Sequence, residues 1–414
     1  MTPQSTFMIV APLADGQEAS LRELLASMNG RDGGMADPDN PLVPFGRFDR
    51  LHFARFLVID APTAGDVAVH GVPPSRWPLS LAFLGDCDGP ADTFLAELVA
   101  AAGDGLRRIF AHCRGFAPEG DLLRWMRRHE QPSAATYVNW IGRTVVQIRE
   151  EEALRVALVE HVRGGAVDEL RGQPKAMRER LLAFVDAETQ AGRLRLTPPG
   201  PTPWSWRARD TVHAVGVPLG LLALAPFLVV ASPLLVYLLR SRETTDPEIT
   251  PRPDRDRVRR VAELEDFDVT NQFSAFGDVK PGRFRRWTVT LLLGLLDYGS
   301  RHVYNRGNLS RVDTIHFARW VFLDDGRKVL FASNYDGSLE SYIDDFINKV
   351  AWGINLVFGN GVGFPRVDWM LKGGARYEQK YKRFLRRHQL PTAVWYKAYP
   401  GLSVADLNRN TRIR

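Results

Sequence analysis

A chain of 414 residues, 45% hydrophobic and 25% charged, is long enough for two or three domains and has the composition of a folding chain, not a disordered one. Its two cysteines, Cys87 and Cys113, form no CxxC pair, which argues against a disulfide framework or a cysteine-built zinc site and suits a reducing compartment. The formal charge of +6 is unevenly spread. Residues 1–239 carry 24 basic and 27 acidic side chains, net −3, whereas residues 240–414 carry 30 and 21, net +9. No recognition-helix or zinc-finger pattern accompanies this surplus, so an anionic lipid surface is the expected partner and nucleic acid is not.

The first residues have no basic n-region and too short an apolar stretch for a signal peptide, and Phe7 to Leu13 reads as a first strand. A helix follows at Ala19 to Met28, then a strand at LHFARFLVID (Leu51 to Asp60). The next strand is Leu79 to Leu84, turned by Asp86 to Gly89 into a helix near Ala91. A further helix carries LLRWMRRH, and the alternation of Tyr137 to Ile148 predicts a last strand. The order βαββαβ is that of a ferredoxin-like unit, residues 1–148. Residues 149–195 form a helical connector with no counterpart later in the chain, and 196–213 a stiff Pro/Trp linker.

An apolar run occupies Ala214 to Leu239, and 15 of its 26 residues are Leu, Val or Phe. Insertion into a bilayer is favoured by ~5 to 8 kcal/mol before the Pro and Gly terms are subtracted. Pro226, near its middle, suggests a break into two short arms that returns the chain to the side it left. Arg207 and Arg209 before the run, and Arg240 and Arg242 after it, give both ends a cytoplasmic character. A monotopic hairpin is therefore expected, in preference to a single span or a buried core segment. Residues 240–262 read as an exposed charged tether.

A second unit, 263–414, repeats the first. HFAR recurs at His316 to Arg319, preceded by Arg311 and Asp313 where the first copy has Arg47 and Asp49. MRRHEQPSAATYVNWIG (Met126 to Gly142) aligns without a gap on LRRHQLPTAVWYKAYPG (Leu385 to Gly401), and the turn Asp88-Gly89 recurs as Asp336-Gly337. Strands are expected at Asn271 to Val279, Thr314 to Leu323, Lys328 to Ser333 and Ala393 to Ala398. Helices are expected at Trp287 to Leu296, Leu339 to Phe358 and Tyr377 to His388. The fold class is thus α+β: two ferredoxin-like repeats paired as a sandwich or pseudo-barrel, with a Pro-interrupted membrane insert between them.

Strand geometry places His316 and Arg319 on opposite faces unless a bulge turns one of them. The polar residues His52, His316, Arg55 and Arg319 read either as one site residue per face or as hydrogen-bonded structural groups. Arg386, Arg387 and His388 close a helix, where its dipole favours cations whatever their role. Asn334, Asp336 and Gly337 lie where the strand turns into the next helix. No HExxH, GxSxG or Walker A pattern is present, and GNGVGF (Gly359 to Phe364) lacks dinucleotide-loop spacing.

The doubled βαββαβ order, with GDCDG at Gly85 to Gly89, resembles the dimeric α+β barrel superfamily and, within it, the dye-decolorising haem peroxidases with their GxxDG signature. The second copy reads SNYDG, without the leading Gly. The resemblance implies haem as cofactor, Asp88 or Asp336 as distal acid, Arg55 or Arg319 as distal arginine, and His316 or His388 as proximal ligand to the haem iron. Asn334 joins the catalytic candidates, and Arg387 and Tyr396 join His388 as cofactor contacts. A membrane-associated, haem-dependent peroxidase-like or other oxidoreductase acting on an apolar small molecule is the first expectation. A non-catalytic lipid-associated or protein-binding module is the second.

Overall fold

In the computed structural model, which describes residues 1–30, 34–74, 76–165, 168–170, 172–263, 266–307, 309 and 311–414, the two HFAR segments are inner strands of two different antiparallel sheets. The first sheet runs β1 (Gln4–Pro12), β3 (Ser80–Asp88), β2 (Leu51–Ile59), β10 (Thr392–Lys397). The second runs β4 (Ser133–Val138), β6 (Ile315–Leu323), β7 (Lys328–Asp336), β5 (Thr270–Asp278). The short strands β8 (Val367–Asp368) and β9 (Lys372–Gly373) form a separate two-stranded sheet. Each half has therefore given its last strand to the other. Tyr137 of β4 lies opposite Ala318 of β6, and Tyr396 of β10 lies opposite Ala54 of β2, so the two exchanged strands occupy matching registers.

Main-chain bridges close both seams between the sheets, Ile9 with Glu130 and Ala275 with Gln389. The eight strands β1–β7 and β10 thus meet as a barrel, each seam joined by that one bridge. Alternation along the strands fills its interior. At one end Met8, Val10, Leu57, Ile59, Leu84, Phe276, Val321 and Leu330 form an apolar plug. Outside, α1 (Glu18–Ala26), α2 (Ala91–Phe110) and α3 (Leu122–Arg128) cover the first sheet with Leu21, Leu25, Phe94, Leu98 and Met126. The C-terminal half covers the second sheet with its own helices, introduced below.

The last strand of the first half ends at Val138, short of the expected Ile148. Thr144 and Gln147 form a capping box that starts α4 (Val145–Arg163), and capping outweighs the apolar alternation there. The connector continues as α5 (Pro174–Gln190), then α6 (Trp204–Thr245) and α7 (Arg255–Ala262). In the second half α8 (Arg283–His302), α9 (Leu339–Lys349), α10 (Ala351–Phe358) and α11 (Glu378–His388) lie on the second sheet. The expected single helix from Leu339 is divided at Val350 (φ −139°, ψ 27°). A terminal helix, α12 (Val404–Ile413), carries a second capping box, Ser403 with Asp406, and packs on α4. The last strand of the second half is therefore also followed by a helix, contrary to expectation.

The apolar run is not a hairpin. It lies inside one helix, α6, that contains Pro218, Pro226 and Pro233. Each proline deletes a single N–H donor, and the remaining backbone bonds hold the turns together. With a mean hydropathy of 2.4 over its most apolar stretch, none of which is buried, α6 is long and apolar enough to cross a membrane.

Both ends of α6 are nonetheless tied to α8. Arg301 Nε donates to Asp210 at 2.6 Å, and Arg285 Nη2 to Asp246, just past the helix end, also at 2.6 Å. A straight helix would separate Asp210 from Asp246 by about 54 Å, whereas Arg285 and Arg301 are about 24 Å apart along α8. Fully extended side chains add only about 11 and 13 Å at the two ends. The span available is about 48 Å, so α6 is bowed, its middle standing off by at least about 10 Å.

Residues 240–262 are likewise no free tether. Glu243 is buried, and its carboxylate accepts the backbone N–H groups of Met370 (2.7 Å) and Trp369 (3.0 Å), both in the left-handed region. Two successive N–H groups in this conformation form an anion-binding nest.

Candidate functional site

The interior face of β3 reads Ala82, Leu84, Asp86, Asp88, and that of β7 reads Leu330, Ala332, Asn334, Asp336. Polarity therefore rises along the barrel axis from the apolar plug to a central arginine layer and then to a histidine layer.

In the central layer, Arg319 pairs with Asp86 and donates to the carbonyls of Phe7 (2.7 Å) and Gly85 (3.0 Å). Arg55 crosses the other way, to Asn334, the carbonyls of Phe273 (2.9 Å) and Ser333 (3.0 Å), and Ser274 Oγ (2.8 Å). Asn334 Nδ2 donates to Asp86 Oδ2 at 3.1 Å, joining the two clusters. One carboxylate thus serves both guanidinium groups, Arg319 directly and Arg55 through Asn334. Burial and then Arg319 lower Arg55 to about 9, which leaves it cationic at neutral pH.

In the histidine layer both dyads sit at bulges. The β2–β3 register slips between Leu51 and Phe53, and the β6–β7 register between Ile315 and Phe317, so His52 and His316 are the extra residues. The slip turns each histidine to the side of the following Phe, and His52 meets Phe317 as Phe53 meets His316 (centroids 5.1 and 5.5 Å). His52 lies 3.0 Å from Asp88 through Nε2 and 3.1 Å from Tyr399 Oη through Nδ1. Burial pushes the Tyr399 phenol well up, so it keeps its proton. His316 Nε2 lies 2.6 Å from Asp336 Oδ1, which also accepts from Thr270 Oγ1 (3.0 Å).

Each aspartate's second oxygen accepts the first N–H of the helix that follows an exchanged strand: Asp88 from Val145 (2.9 Å) and Asp336 from Val404 (2.6 Å). Carboxylates are favoured at helix N-termini. The dyads therefore dock the two exchanged ends.

A histidine oriented by a carboxylate is the geometry of a general base. Here the space beside His52, His316 and Tyr399 is about 20 Å³, room for one water and no substrate.

The structure brings together Arg55, Arg319 and Asn334, and places Asp88 and Asp336 with the histidine layer. It separates the rest. His388 is buried on the second sheet, its Nδ1 2.8 Å from the Phe384 carbonyl, and His129, which aligns with it in the sequence, meets the Trp125 carbonyl in the same way. Arg387 pairs with Asp66 at 2.6 Å, and Tyr396 stacks on Phe45 with centroids 5.1 Å apart. Asn334 and Asp336 lie within β7, not in a turn.

Haem does not fit these positions. The cavity beside His388 holds about 50 Å³ and that beside His316 about 20 Å³, against the several hundred Å³ of ligand pockets. An apolar cavity under Leu296, Phe346 and Ile354 holds about 90 Å³, also small for a substrate. Among the described residues no cluster of three His, Cys, Asp or Glu is placed to hold a metal ion.

Asp86 and Tyr399 escaped the sequence reading. Asp86 had a signal, since two aspartates spaced by two on an apolar strand must share one face. Tyr399 had none, because it follows a strand that joins the other half. Comparison with family models, curated proteins and solved structures finds no match for this chain.

Proposed function

We propose that this protein is a non-catalytic, membrane-surface binding module. In this reading two ferredoxin-like units of the dimeric α+β barrel type have exchanged their last strands, and α6 rests in the lipid interface on the cytoplasmic side. The observation that carries it is the bow of α6, an unburied apolar helix with both ends held by α8. Such a helix enters a bilayer from one face without sending its ends to opposite sides. Trp287, Leu291 and Leu295, an exposed ridge on α8, add apolar surface. Arg207, Arg209, Arg240 and Arg242 flank the apolar stretch, where cations meet anionic headgroups. The filled barrel serves as a rigid mount, and the hydrogen-bonded arginine and histidine layers maintain it.

Flotation of the full chain with vesicles tests the reading. Wild type should float, and Leu222→Glu with Phe227→Glu and Val230→Glu should not, since each charge costs about 2.5–3.5 kcal/mol at full depth. Single cysteines placed beyond each end of α6 should be labelled from the same side of intact cells, and labelling from opposite sides would overturn the model. Protein from haem-supplemented expression should be colourless. A Soret band lost in His316→Ala or His388→Ala would restore the peroxidase reading.

A further inference from the structure

A cavity of about 590 Å³ opens where the first turns of α6 meet the end of α8 and the start of α4. Its volume lies within the range of small-molecule sites. Arg143 forms part of its wall and is 6% exposed. Nη1 of Arg143 makes one long hydrogen bond, to Asn408 Oδ1 at 3.3 Å, while Nε and Nη2 are buried with no partner. The guanidinium carbon lies over the Trp140 ring, 4.1 Å from its centroid, a cation–π contact that helps to hold the side chain in place. Burial lowers Arg143 to about 10, so it stays charged at neutral pH.

A buried guanidinium with two donors that no protein atom satisfies has free hydrogen-bonding capacity for an anionic ligand. The surrounding charges specify its sign. Arg301 is neutralised by Asp210 (2.6 Å) and Arg414 faces Glu151 (3.8 Å), whereas neither Arg143 nor Arg306 forms an ion pair among the described residues. The fork geometry of arginine matches the oxygens of a phosphate or carboxylate.

Position narrows the class. Trp206 and Asp210 of α6 line the cavity, and the apolar run begins at Ala214, about 12 Å further along the helix than Trp206. An acyl chain leaving the cavity along α6 would reach the apolar surface within that distance. We infer that this cavity binds the phosphate headgroup of an anionic membrane lipid, with Arg143 as its recognition residue. The inference rests on the membrane-surface reading and adds to it a ligand and a site.

Vesicle partition of the full chain separates the two. Neutral phosphatidylcholine vesicles report α6 alone, and vesicles that include phosphatidylglycerol report α6 plus the cavity. Arg143→Gln should lower the preference for the anionic vesicles about tenfold or more and leave binding to neutral vesicles unchanged, since hydrogen bonds to charged groups are the strong ones. Arg124→Gln, an exposed charge on α3 over the first sheet, serves as control and should change the preference less than twofold.

Equal losses in the two variants would show diffuse surface charge and overturn the site. No vesicle binding by wild type would overturn the membrane reading. Inorganic phosphate or glycerol 3-phosphate bound to wild type, lost in Arg143→Gln, and without any anionic-vesicle preference would identify a free phosphate as ligand and overturn the lipid assignment. Arg143→Lys, which keeps the charge but loses the fork, guards against misfolding: it should fold as wild type does and still lose most of the preference.

Discussion

Arg319 of β6 and Asp86 of β3 form an ion pair across the barrel interior, both at most 3% exposed, and the same carboxylate reaches the second buried arginine, Arg55, through Asn334. Removing its charge strands two guanidinium groups in a low-dielectric interior. Asp86→Asn should therefore cost about 3–5 kcal/mol. Asn334→Asp in that background moves the carboxylate to the matching position on β7, beside Arg55, and should recover at least half of the loss. Denaturant midpoints of the single and double variants measure this, and failure of the second change to rescue would show that the layer is not organised by charge.

The aspartates of the histidine layer should act through the helices they hold. Asp336→Ala leaves the Val404 N–H and His316 without their acceptor, at a cost of about 2–4 kcal/mol. Hydrogen exchange should rise in Val404–Ile413 before it rises in β7. Asp88→Ala should do the same to the first turn of α4, and uniform loss of protection across the barrel would contradict the docking role.

His388 should make the fold acid-sensitive. Burial lowers it from 6.5 to about 4, so the folded chain binds fewer protons than the unfolded chain between those values. Its contribution to stability is complete above about pH 6.5 and is lost as pH falls towards 4, by roughly 3 kcal/mol in all. In His388→Gln that part of the pH dependence should vanish. The measurement is the difference between wild-type and variant unfolding free energies at pH 7 and pH 4.

Glu243 anchors one end of the bow. Glu243→Ala removes the acceptor of the Trp369 and Met370 N–H groups and should weaken that attachment by about 1–3 kcal/mol. Spin labels on residues 247 and 366 should then show a broadened distance distribution, while flotation stays unchanged because the apolar stretch is intact.

Much of the local structure was legible in the residues themselves. The HFAR strands, the basic helix before Pro391 and the apolar run follow from periodicity, proline placement and hydropathy, which are properties of neighbours in the chain. The His316 bulge was legible only as a condition, because a one-residue slip depends on the partner strand. That Tyr137 would pair with Ala318 and Tyr396 with Ala54 depended on tertiary contacts, since an exchanged strand presents the same alternating pattern to either sheet. The path of α6 was decided in the same way. Its prolines permit bending, but the ion pairs of Asp210 and Asp246 with α8 set how far apart its ends stand, and those partners lie 91 and 39 residues away in the chain.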